Sequence, residues 1–247
     1  MPHRFFIYLY NLILDTLFPW QCLNCKTEVL NDYPLCETCF RKINCNNEFV
    51  CPVCLKQIPD LKIKHSYCKK FTFLDALGVV ANYHQPILKE TIHYFKYKKI
   101  KNLEKPLAFL LIEFLKNSFL FNEILKNYKE KILIIPLPLH YKKKEERGFN
   151  QSALLALKIS QFFNLEYRED ILKRTKNTAP QAQIEDKIER MKNVSNAFEV
   201  VKNEFLKNKI IILVDDVYTT GATLNEASKV LKQNGAKKVI GVVLAKG

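Results

Sequence analysis

Glycine is scarce in this 247-residue chain, with six in all, and there are ten prolines. Neither a collagen-like repeat nor a glycine- or proline-rich low-complexity chain fits those counts. No cysteine follows Cys68, so a secreted-type disulfide scaffold cannot hold the rest of the chain. No apolar run approaches the ~20 residues of a spanning helix. Phe5 to Leu14 contains Asn11 and is followed by Asp15, and Leu107 to Leu125 is interrupted by Glu113, Lys116 and Asn117. No small-residue cleavage site follows the first run, as a signal peptide would require. No period of roughly 20–50 residues runs through the chain, which excludes a solenoid. Acidic groups are also in short supply: 25 Asp and Glu face 39 Lys and Arg, for a net charge of +14.

That excess is uneven. Residues 1–83 carry +2, residues 84–150 carry +7 and residues 151–247 carry +5. A positive field favours nucleic acid, phosphorylated metabolites or a membrane surface; a solvated lysine-rich surface is the alternative. An apolar content of 48% with 12% aromatics is ample for a globular core. Residues 1–21 predict an N-terminal apolar helix, either packed on the core or lying at an interface as a peripheral membrane contact.

The eight cysteines all fall between Cys22 and Cys68. Cys22-x2-Cys25 is followed ten residues later by Cys36-x2-Cys39, and the spacing recurs as Cys51-x2-Cys54 and His65-x2-Cys68. A C-x2-C knuckle aims two thiolates at one point, and two knuckles supply the tetrahedral set that Zn(II) takes. The first set predicts one zinc, and the second, with His65 for a thiolate, predicts another. Two disulfides are the alternative for the first four cysteines, one that a reducing compartment disfavours. Closed four-ligand sites are structural. Cys45 has no partner at this spacing and is expected to be a lone thiol.

Ile210 to Val214 is a continuous apolar run, the signature of a parallel strand buried on both faces. Asp215 and Asp216 then stand at its carboxyl end, where open α/β sheets bind ligands. Thr219, Thr220, Gly221, Ala222 and Thr223 form a loop ahead of a helix expected over 224–234, with Gly235 just beyond it. Backbone N–H groups and hydroxyls at a helix N-terminus make an anion site. An acidic pair beside it points to a ligand carrying both phosphate and diol hydroxyls, with Mg2+ as a companion ion.

This stretch resembles the 5-phosphoribosyl-1-pyrophosphate (PRPP) motif of type I phosphoribosyltransferases. The resemblance implies that Asp215 and Asp216 meet the ribose hydroxyls and that Thr219 to Thr223 hold the 5′-phosphate. Ile134 to His140, Glu146 to Ser152, Pro180-Gln181 and Glu189-Arg190-x-x-Asn193-Val194 resemble segments of the ComF family of competence proteins. In that family a double zinc ribbon, often entered through a Phe-Pro segment like Phe18-Pro19, precedes a transferase-like domain. His65 departs from the family's second cysteine pair. The resemblance implies zinc ribbons over 22–70 and a phosphoribosyltransferase-like domain over 71–247. It also implies a cytoplasmic protein that handles single-stranded DNA with a DNA-uptake helicase or channel. An active transferase with an unidentified acceptor is the competing expectation.

Elsewhere the pattern predicts strands at 76–84, 132–137, 168–174, 197–201 and 239–244. Helices are expected from Pro86 to Tyr97, from Pro106 to Asn117, over 150–163 with Ala153, Leu154, Leu157 and Phe162 inward, and over 184–195. Lys176 to Gln183 suits a lid. Lys142, Lys143, Lys144 and Arg147 are either a solvated loop or a clamp on pyrophosphate or DNA. Lys96, Lys98, Lys99 and Lys101, with Tyr94, Tyr97 and Tyr141 to stack bases, extend the expected DNA surface. The expected fold is α/β: a mostly parallel sheet with helices on both faces and a small zinc module in front.

Overall fold

The computed structural model of the chain describes residues 20–30, 32–60, 67–177 and 193–247. The expected N-terminal helix, His65, most of the 176–183 lid and most of the 184–195 helix lie outside them.

A small module comes first. Strands β1 (Trp20–Gln21) and β2 (Glu28–Val29) form an antiparallel hairpin, followed by α1 (Glu37–Phe40) and β3 (Phe49–Val50). The larger unit then runs β4 (Ala76–Asn82), α2 (Pro86–Tyr97), α3 (Glu104–Asn117), α4 (Phe119–Tyr128), β5 (Ile132–Pro136), α5 (Tyr141–Arg147) and α6 (Gln151–Phe163). It continues with β6 (Glu166–Tyr167), β7 (Leu172–Arg174), β8 (Phe198–Val200), β9 (Ile210–Tyr218), α7 (Ala222–Gln233) and β10 (Lys238–Lys246).

Six strands form one sheet in the order β3-β4-β10-β9-β5-β6. All neighbours are parallel except β3, which pairs antiparallel with β4. Ile212 at the centre of β9 sits opposite Ile134 and Ile240, so three β-branched side chains share one rung. The strands are apolar throughout because both faces are covered. On one face Ile134, Ile212 and Ile240 pack with Leu88 and Phe95 of α2, Leu111 of α3, Phe121 of α4 and Leu155 of α6. On the other, Ile135, Ile211 and Val243 pack with Leu224 and Leu231 of α7 and with Phe198. The fold is the mostly parallel α/β sheet expected, with helices on both faces and the cysteine-rich module at one edge.

Local signals account for several boundaries. Pro86 opens α2, where its missing N–H costs nothing. Asn150 caps α6, its Oδ1 accepting from Ser152 N at 3.2 Å. Gly235, at φ +103°, follows α7 in the left-handed region that ends helices.

The structure corrects other expectations. Helix α6 turns Leu155, Ala156 and Ile159 inward, while Phe162 and Leu157 are exposed; the sheet and α3 both pack on it and select a different stripe. Residues 168–174 are not one strand. β6 ends at Tyr167 and joins the main sheet, while β7 starts at Leu172 and pairs with β8. α3 begins at Glu104, with Pro106 already inside its first turn. Ser118 caps a separate helix, α4, accepting from Phe121 N at 3.4 Å. The lysines at 142–144 lie on helix α5 rather than in a loop. Among the described residues no helix is long and apolar enough to cross a membrane.

Candidate phosphate-binding cleft and metal clusters

Strand β9 carries its apolar run to Val214 and ends in Asp215, Asp216, Val217 and Tyr218. Gly221, at φ +78°, turns the chain into α7. A Cβ there would lie 2.2 Å from Tyr218 Oη, so only glycine lets the loop fold back over its own strand. The result is a tight loop whose backbone opens onto the N-terminus of a 12-residue helix.

Beside the loop is a cleft of about 230 Å³. Asp215, Asp216, Thr219 and Thr223 line it from the β9–α7 junction. Lys143 and Arg147 come from α5, Gln151 and Ser152 from α6, Lys96 and Tyr97 from α2, and Arg174 from β7. Thr220, Gly221 and Ala222 face a separate groove on the other side of the loop. Lys142 and Lys144 point to solvent and do not line the cleft. The loop therefore splits the PRPP-motif residues between two faces, and only half of the basic cluster faces the ligand space.

The two carboxylates are held differently. Asp216 is buried and pairs with Lys96 Nζ at 2.7 Å. Burial opposes the charge on Lys96, but Asp216 and then Asp215 outweigh it and raise the ammonium's pKa. Lys96 is thus committed to the acidic pair and is not a surface contact for DNA. Asp215 accepts from Ser152 Oγ at 3.0 Å. Burial, reinforced by the charge on Asp216, pushes the Asp215 carboxyl up to about 7. The cations opposite are depressed. Lys143 is lowered by burial and then by Arg174 and Arg147, and Arg174 is lowered by burial against the pull of Asp215. Four cationic heads facing two carboxylates leave the cleft positive. Gln151 is buried; its Oε1 accepts from Arg147 Nη1 at 3.1 Å, and its Nε2 has no partner among the described residues.

Lys96 and Arg174 carry no local sequence pattern marking them for this cleft. Ser152 and Gln151 close the Glu146 to Ser152 segment quoted above, which was the available pointer. Of the proposed stacking tyrosines, Tyr97 is exposed at the cleft mouth with the Arg147 guanidinium 5.2 Å from its ring. Tyr141 is exposed but lies against His140. Tyr94 is half-buried against the core and lines a separate surface groove with Lys89, His93 and Lys98.

In the front module the Sγ atoms of Cys22, Cys25, Cys36 and Cys39 all lie within 4.8 Å of one another. Cys25 Sγ and Cys36 Sγ are 3.6 Å apart. Tetrahedral Zn–S bonds of about 2.3 Å require S···S near 3.8 Å, so the set fits zinc, and none of the four is in a disulfide. Cys51, Cys54 and Cys68 cluster in the same way; the fourth position, expected for His65, is outside the described residues. Cys45 stands apart from both clusters, its Sγ 3.6 Å from Ile43 O.

Comparison with known proteins agrees with both halves. Residues 13–72 match the double zinc ribbon domain and residues 151–247 the phosphoribosyl transferase domain. Competence protein F of Haemophilus influenzae is 30% identical over 237 residues, covering 90% of this chain and 95% of that protein. This chain belongs to the ComF family of competence proteins. Other members include the DNA utilization protein YhgH of Escherichia coli K12, 28% identical with 90% of this chain and 94% of that protein covered. The competence protein ComFC of Bacillus subtilis is 28% identical, covering 83% of this chain and 80% of that protein. In this ComF-family chain the zinc-ribbon match spans both thiol clusters, and the transferase match takes in Gln151, Ser152, Asp215, Asp216 and the loop after them, while Lys96, Lys143 and Arg147 line the cleft from outside it.

Proposed function

We propose that this chain binds PRPP or a related phosphoribosyl ligand in the cleft and acts on single-stranded DNA during its uptake and use. The carrying observation is the junction of β9 with α7: paired carboxylates at the carboxyl end of a central strand, joined to a glycine-turned loop at a helix N-terminus. Loop N–H groups and the Thr219 and Thr223 hydroxyls hold the 5′-phosphate. Asp215 and Asp216 take the ribose hydroxyls, with Ser152 and Lys96 orienting them. Lys143, Arg147 and Arg174 face the pyrophosphate, and the unpaired Gln151 amide donates to it. Mg2+ enters with the diphosphate as its counter-ion. The DNA limb rests on the family, on the net charge of +14 and on exposed Lys98, Lys99, Lys101, Lys142 and Lys144. A helicase or channel of DNA uptake at the cytoplasmic face is the proposed partner. Zinc in the two thiol clusters holds the module in shape.

One observation favours an active transferase. A carboxyl near 7 at Asp215 exchanges its proton at neutral pH. Release of pyrophosphate from PRPP in the presence of an acceptor would identify that activity.

Calorimetric titration with PRPP and Mg2+, with and without single-stranded DNA, tests the reading. Replacing Asp215 and Asp216 together by Asn is expected to weaken PRPP at least a hundredfold, because hydrogen bonds to charged groups are worth about 1.5–3 kcal/mol each. Unchanged affinity in the folded double variant would reject the assignment.

A further inference from the structure

The far side of the phosphate loop opens on a second groove, of about 190 Å³. Its floor is Tyr218 with Thr220 to Ala222, and its opposite wall is Pro52 and Val53 of the second knuckle with Phe71 and Thr72. The crease is pinned on both flanks. Tyr218 Oη donates to Pro52 O at 3.0 Å. Asn225 Oδ1, in the first turn of α7, accepts from Phe73 N at 2.7 Å and Thr72 Oγ1 at 3.0 Å.

At the mouth, two rings are left in solvent. Phe71 is 56% exposed and Tyr67 73% exposed, with ring centroids 5.2 Å apart. Between them in the chain lie Lys69 and Lys70, both exposed and, among the described residues, neither in an ion pair. A protein-docking patch is depleted in lysine at its centre. Two rings flanking a pair of ammonium groups beside a narrow groove suit a single nucleic-acid strand, whose unpaired bases stack while its phosphates meet the lysines.

We propose that Phe71, Tyr67 and this groove form a base-stacking subsite for single-stranded DNA, continuous with the phosphate loop. A strand crossing the loop leaves a phosphate near Lys69 and Lys70 and a base in the groove. The inference rests on the DNA limb of the proposed function and gives it a location outside residues 84–150. The zinc module then contacts the strand directly.

Fluorescence anisotropy of labelled oligothymidylate on the full chain at low salt tests this. Phe71→Ala with Tyr67→Ala is expected to weaken binding roughly tenfold to hundredfold for one stacked base. The salt slope and PRPP affinity should stay unchanged, and Phe71→Trp alone should retain full affinity. Lys69→Gln with Lys70→Gln should instead lower the slope by about 1.4, at ~0.7 per phosphate. Equal binding by the unmodified chain and the ring-less variant overturns the subsite. So does a ring-less variant that loses PRPP affinity in parallel, since the rings would then only brace the loop. No oligonucleotide binding by the unmodified chain rejects the DNA limb itself.

Discussion

The two thiol clusters repeat one spacing, and in each the first and last thiols are buried and the second exposed, yet they pack against different neighbours. Cys22 and Cys39 are buried with Val29 and Leu35 in a separate small cluster, joined to the main core only through the partly buried Tyr33, Phe40 and Ile87 among the described residues. Cys51 and Cys68 belong instead to the main core, together with Phe49, Ile58 and the residues under β4. Gly78 in β4 makes this possible. A Cβ there would sit 2.8 Å from the Phe49 ring and 2.7 Å from that of Phe114, so the missing side chain is the space the two rings occupy. The first cluster therefore leans on the core only through partly buried side chains and depends more on a bound metal, whereas the second is built into the sheet's own core. Identical spacing fixes the ligand geometry and leaves independence of folding to the surroundings.

The largest effect should come from separating the two clusters by mutation. Cys36→Ser is expected to lose one zinc and, with it, on the order of 10 kcal/mol of local folding free energy. Amide protection should vanish over residues 20–41 while β9 and β10 keep theirs in hydrogen exchange. Cys51→Ser should lose the other zinc yet leave β3 protected through Phe49. If both variants melt the same residues, the distinction between the clusters is wrong.

A second prediction concerns the carboxyl end of β9, where the half-buried Asp215 loses enough water to oppose its own charge. The folded chain holds a proton on Asp215 up to about pH 7, whereas the unfolded carboxyl releases it near 3.8. Between those values the native state binds more protons, so this group weakens the fold as pH rises. Asp215→Asn should leave thermal stability nearly unchanged near pH ~4 and raise it above pH ~7, by up to about 4 kcal/mol. Equal effects at both ends would show that Asp215 is not buried as described.

The seam between module and sheet gives the smallest effect. Tyr218 is buried and its hydroxyl pushed up to about 12 by that burial. Tyr218→Phe removes its bond to Pro52 and should cost about 1 kcal/mol in denaturant unfolding. No change at all would mean that the module and the loop are not coupled there.

Much of this architecture was legible in the residues. The β9 run, the glycine-turned loop, the Pro86 helix and the first thiol set are local patterns with local causes. What was not legible depends on elements distant in sequence. Lys96 finds Asp216 across 120 positions, and Arg174 reaches the same cleft from a strand outside the main sheet. Helix α5 was missed because it has no apolar stripe; its boundary is marked only by Gly148 at φ +82°. The buried stripe of α6 was misplaced because that helix is covered on two sides, and its several apolar faces cannot be ranked by periodicity alone.

Strand β10 follows the other described strands in chain order but lies near the middle of the sheet, between β4 and β9. During synthesis both neighbours therefore wait, each with a bare apolar edge, until Lys238–Lys246 emerges and joins them. The strand end that carries the phosphate loop is closed later still, when Gly247 N donates to Tyr218 O at 3.0 Å. A chain interrupted before residue 238 would thus be more than a shortened protein. It would expose two pairing edges and lack a supported ligand loop, which makes the arrival of β10 the step that converts an aggregation-prone chain into a binding-competent one.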